Sequence, residues 1–173
     1  MAYTYSKIAT YTVGSGGVPS VTFLNIPQNY TDLKVVFSVR NDRAGSISDT
    51  ARVQFNLDTG NNYSYRYVYG NGSAAASATS SAAAFIECFR NNGASSTANT
   101  FSNNEIYIPN YASSNYKSVS VDSVQENNAT TATAAFVAGL WSSSSPINSI
   151  TLFTLFTTMQ HSTFHLYGIK AEL

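Results

Sequence analysis

Charge is scarce in this chain. Nine Lys and Arg balance nine Asp and Glu, so only 10% of 173 residues are charged and the formal net charge is zero. A typical soluble domain carries roughly 25%. The shortage excludes a nucleic-acid surface, which needs clustered cations to displace counterions. It also removes the self-repulsion that keeps many proteins dispersed. Cysteine is nearly absent: Cys88 stands alone in AFIECFR, which excludes an internal disulfide and reads as a small buried hydrophobe. No apolar run approaches the ~18 residues of a transmembrane helix. Residues 1–14 hold no apolar core of a signal peptide, which predicts a chain made and assembled in a cytoplasm.

Neutral polar residues and aromatics fill the gap. The chain has 25 Ser, 18 Thr and 17 Asn beside 12 Tyr and 10 Phe. Hydroxyls and amides solvate the surface and can pack on a partner without desolvating ions. Aromatics with Val and Thr favour strands over helices. With 43% apolar residues in 173, the prior is one domain, residues 1–173, burying roughly 70% of its unfolded surface.

The clearest pattern runs from Ala51 to Gly72. Ala51, Val53, Phe55 and Leu57 share one face, and Tyr63, Tyr65, Tyr67 and Tyr69 share another. Between them Asp58-Thr59-Gly60-Asn61-Asn62 has turn chemistry, so the stretch reads as a β-hairpin. Further period-two runs span 5–13, 33–39, 116–124, 133–141 and 163–173, the fourth placing Ala134, Phe136, Ala138 and Leu140 together. Residues 21–26 change phase after Phe23, which predicts a bulge or a strand buried on both sides. Residues 84–90, 105–108 and 147–156 add apolar strands, and Ser73–Ala83 reads as a low-complexity loop. About ten or eleven strands with Gly and Pro between them predict an all-β fold, an antiparallel two-sheet sandwich of jelly-roll type, with a closed barrel as the alternative.

Catalytic patterns do not emerge. His161 and His165, four apart on a strand, would lie about 13 Å from each other, too far to share a metal. Asp42, Asp49, Asp58, Asp122 and Glu126 sit in no motif, and Asp58 is better explained by the turn. The 41–50 loop, with Asp42 and Asp49, matches no calcium motif, and Gly14-Ser15-Gly16-Gly17 lacks the lysine of a phosphate loop. The reading is of a non-enzymatic protein with no catalytic, cofactor or metal residue. Tyrosines at 63–69 read as sandwich wall, leaving Arg66 opposite them free to meet a neighbour.

Three segments carry a resemblance. FNLDTGNNYSYRYVYGNGS, IATYTVGSGGVPSVTFLNIPQNYTDLKVVFSVR and FHLYGIKAEL are similar, in order, to segments of virion structural proteins of tailed bacteriophages, especially phages of aquatic bacteria. The resemblance covers nearly the whole chain, through strand ends and turns and not through a reaction centre. It implies a jelly-roll capsid decoration, or cement, protein on the virion surface, often a homotrimer, whose partner is the major capsid protein. It implies no catalytic residue, while the charge balance and the lack of a long apolar run predict no nucleic-acid or membrane partner, and the residues suggest no cofactor. Candidate interface residues are Tyr65, Arg66 and Tyr67, with Arg43 and Asp49 in the 41–50 loop; the 73–83 and 94–104 loops are further candidates. The rival expectation is a tail-fibre or receptor-binding module that recognises host surface glycan through its aromatics. A hydrolase is the weakest of the three.

Overall fold

A computed structural model of the chain describes residues 3–128 and 131–171. Its strands are β1 (Tyr3–Thr12), β2 (Val18–Phe23), β3 (Asp32–Ser38), β4 (Ser48–Phe55), β5 (Tyr63–Gly70) and β6 (Ala75–Ala83). They continue as β7 (Ile86–Asn92), β8 (Asn103–Ile108), β9 (Lys117–Gln125), β10 (Thr133–Trp141), β11 (Ile150–Thr158) and β12 (Thr163–Ala171). All pair antiparallel, in an eight-stranded sheet β1-β12-β3-β8-β9-β10-β5-β6 and a four-stranded sheet β2-β11-β4-β7. Both sheets are open, so the fold is a sandwich and not a closed barrel.

Removing β5, β6, β9 and β10 exposes the logic. What remains is two four-stranded sheets, β1-β12-β3-β8 and β2-β11-β4-β7, with the chain crossing between them at β1–β2, β2–β3, β3–β4, β7–β8, β8–β11 and β11–β12. That is the jelly-roll order. The other four strands are two insertions, β5-β6 after β4 and β9-β10 after β8, which line up as β9-β10-β5-β6 and extend the larger sheet sideways. We call this extension the wing.

Alternation explains the core. In β3, Leu33, Val35 and Phe37 point inward and are buried; in β4, Ala51, Val53 and Phe55 do the same. Phe37 stacks on Phe164 with ring centres 5.9 Å apart. The inner face of the wing lies over β7, and Ile86, Cys88 and Phe89 of β7 are buried beside Val119, Val121 and Val137. β7 can bury adjacent residues 88 and 89 because Phe89 adopts a left-handed φ of 64° where the strand holds one residue more than β4 opposite. β10 crosses β7 closely at Gly139, where a Cβ would sit 2.8 Å from Ile86.

Several sequence expectations change. The 51–72 stretch is not one hairpin: β4 lies in the small sheet and β5 in the large one. The chain crosses the sandwich at 56–62, turned by left-handed Asn56 (φ 53°) and Leu57 (φ 56°). Alternation defines a strand's faces but not its partner, which is why it misled. Leu57 is off the core face and 61% exposed. The phase change after Phe23 is the end of β2, with Asn25 left-handed (φ 54°), Leu24 exposed and Ile26 buried. Residues 73–83 are not a loop. The stretch contains β6, paired along its length with β5 through a turn in which Asn71 accepts the Ser73 and Ala74 amides and Gly72 has φ 85°. It shows no apolar stripe because it covers no core: almost every residue of β6 is exposed.

Candidate interaction surface

Two ends and one flank of the molecule hold the residues singled out from sequence. At one end the 41–50 and 93–104 segments, distant in sequence, come together. The Gly93, Ala94 and Ser95 amides donate to the carbonyls of Ile47, Arg43 and Ser46. Arg40 enters from below, and its guanidinium donates to the carbonyls of Ala94, Ser96, Thr97 and Thr100. The loop is therefore wound around a buried cation. Asp49 is only 1% exposed; its carboxylate accepts from Asn41 at 2.9 Å and pairs with Arg43 at 3.5 Å. Its oxygens are directed inward, which takes it off any contact surface. Arg43 keeps an open side and lies over the Phe156 ring at 5.5 Å.

At the sandwich crossing Asp58 does more than its turn role required. It accepts from the Gly60 amide at 2.9 Å and the Asn62 amide group, and also from the Trp141 indole N–H at 2.8 Å. The Trp141 bond lowers its pKa most; partial burial opposes this, and Asn62 and Gly60 lower it further. Trp141 ends β10, so this bond ties the crossing to the wing. Lys117, buried on β9, places its ammonium 5.9 Å over the same ring and donates to the Ser113 and Asn115 carbonyls.

The flank is the wing. On its inner side Tyr63 and Tyr65 are buried and Tyr67 and Tyr69 are half-buried, so the tyrosines form a wall that emerges at the rim. Tyr65 donates to Glu87, and burial first, then the Glu87 charge, raises its pKa. Tyr67 and Tyr69 each close on Phe89 at 4.9 Å. Arg66 points the other way and is exposed. Of the five candidate residues, the structure groups Tyr65 with Tyr67, and Arg43 with Asp49. Arg66 stands on the opposite face of β5 from the tyrosines.

The outer face holds what sequence reasoning passed over. Val68 lies directly opposite Phe136, and Phe136 directly opposite Asp122 on the other side. Val68 is 58% exposed, Phe136 48% and Val124 43%. Small residues around them, Gly70, Ala75, Ser77, Ala134 and Ala138, leave a shallow trough of about 700 Å³, continuous through Val68, Ser77 and Phe136 with a second of about 480 Å³. A signal was visible: Ala134, Phe136, Ala138 and Leu140 form an apolar set, but Val137 and Trp141 on the alternate positions are the buried ones. An apolar strand on both faces is a core strand with a second surface to cover.

Among the described residues no three of His, Cys, Asp and Glu gather closely enough to hold a metal ion. His161 sits in the β11–β12 turn with φ 72°, and His165 on β12 meets the Thr10 hydroxyl at 3.0 Å. No family model, curated protein or solved structure matches this chain.

Proposed function

We propose that this chain is a non-enzymatic structural component of a phage virion, a capsid decoration protein that stabilises the head by bridging major capsid subunits. The observation that carries the reading is the wing's outer face, where Val68, Val124 and Phe136 are exposed together on one sheet surface with few charges. Such a face suits association, because large exposed apolar patches on soluble proteins mark contact sites. The polar groups add support. Asp49, Asp58, Arg40 and Lys117 all spend their charge on holding loops in place. The jelly-roll order and the sequence resemblance agree with this role. Bridging stabilises a shell because rupture must first break contacts spread over several subunits.

The test is composition of the particle. Purified mature heads are expected to contain the protein in fixed stoichiometric amount, and heads lacking it to rupture at lower temperature. Its absence from heads and presence on tails contradicts the reading. That outcome favours the rival role of glycan recognition, for which the half-buried Tyr67 and Tyr69 rings at the wing's rim speak. Glycan binding lost on Tyr67→Ala then becomes the expected result.

A further inference from the structure

The wing's outer face has a charge arrangement that selects an occupant. Arg66 on β5 and Asp122 on β9 flank its apolar centre on opposite sides. Both are exposed, and neither forms an ion pair among the described residues, where Lys34–Glu105 and Arg43–Asp49 are the pairs. Arg66 is opposite Ala138, and Asp122 is opposite Phe136, two residues along β10. At about 4.8 Å between strands and about 3.4 Å per residue, their Cα atoms are about 12 Å apart, with the midpoint on β10 between Phe136 and Ala138.

That geometry is self-complementary. Consider a second copy laid face to face across a two-fold axis lying between the sheets and crossing β10 at that midpoint. Each Arg66 then stands over Asp122 of the other copy. The two Phe136 rings meet near the axis, and each Val68 covers the Phe136 of the other. An isologous contact needs this reciprocity, with the cation of each copy meeting the anion of the other. One cation and one anion give no net repulsion across the face, as does the whole chain's zero net charge. Four strands of eight to nine residues give each copy a face of about 500 Å² at these spacings, so full overlap buries about 1,000 Å² in total, the lower limit for a specific interface.

We propose that a second copy of this chain covers the wing's outer face in a two-fold, face-to-face stack held by Phe136 and Val68 and set in register by reciprocal Arg66–Asp122 pairs. The proposal rests on reading the wing as an assembly surface and names its first occupant. The full chain is predicted to sediment as a dimer at tens of micromolar. Arg66→Asp and Asp122→Arg should each weaken the dimer by about tenfold or more, since each reversal acts at two places. The double variant should restore it, and Phe136→Ser should abolish it. All three substituted side chains are exposed, so circular dichroism should stay unchanged, and melting temperatures should agree at concentrations low enough for every variant to be monomeric.

A monomer at all concentrations, a trimer, or a dimer indifferent to both reversals overturns the proposal. The parent reading fails separately. A monomer that the single reversals strip from phage heads overturns the stack but keeps the decoration role, with a capsid subunit on the wing. A dimer rescued by the double swap, yet absent from heads, keeps the stack and ends the decoration role.

Discussion

The jelly-roll half and the wing are made of the same antiparallel ladder, but they end differently. In the jelly-roll half Val35, Phe37, Val53 and Leu152 are all buried in one cluster between two sheets. The wing has the same kind of inner face over β9 and β10, packed on β7 and, through Trp141 and Tyr63, on Phe55 of β4. By β5 the tyrosines are emerging, and β6 is exposed along almost its whole length. Outside, Val68, Val124 and Phe136 face water. The inner faces of β9 and β10 complete the core over β7, which accounts for their buried side but not for an apolar outer one. Two insertions that meet side by side to present an apolar, nearly uncharged face give the molecule a surface that its core does not require.

Substitutions in the two halves should differ in cost. The largest loss belongs to the core: Phe37→Ala removes a fully buried ring stacked on Phe164 and should cost about 3–5 kcal/mol in denaturant unfolding. A smaller loss falls at the joint between the halves. Gly139→Val drives a side chain into Ile86 and Val119, and about 2–3 kcal/mol of overpacking is expected by the same measurement. Asp58→Asn loosens the crossing. Solvent reaches this carboxylate, so the expected cost near neutral pH is only about 1 kcal/mol.

Asp58 also predicts a pH dependence. Its pKa is lower in the folded than in the unfolded chain, so its contribution is present above the unfolded value and is lost as pH falls through the folded one. Wild type and Asp58→Asn should differ at neutral pH and converge below the ordinary carboxylate range. A difference that persists unchanged well below that range contradicts the assignment. The smallest effect belongs to the outer face: Val68→Ser should change monomer stability by no more than about 0.5 kcal/mol while weakening association. Equal costs at Phe37 and Val68 would erase the distinction between core and wing.

Much of the fold was legible because period-two alternation marks a half-buried strand wherever it occurs. β3, β9 and β10 were readable on that ground alone. Partnership was not legible. Ala51–Phe55 and Tyr63–Tyr69 alternate like two arms of a hairpin, yet left-handed Asn56 and Leu57 send them to different sheets. β6 was invisible for the opposite reason: SAAASATSS has no apolar face, because an edge strand beyond the core needs none. The contact surface was half legible. Arg66 was placed on its exposed side, but Phe136 was taken with an apolar set whose outward direction depends on which alternate positions meet β7. Asp49 read as a loop charge, and its burial depends on Asn41 and Arg43 closing over it.

On this proposal the wing, and not the jelly-roll core, carries assembly. An electron-microscopy map of the protein in its assembled state tests it most directly. Val68, Phe136, Arg66 and Asp122 are expected to be buried between two copies related by a two-fold axis, with the chain seated on the capsid shell. A map that leaves this face open to solvent, with the contacts made through β1 or β2 instead, contradicts it.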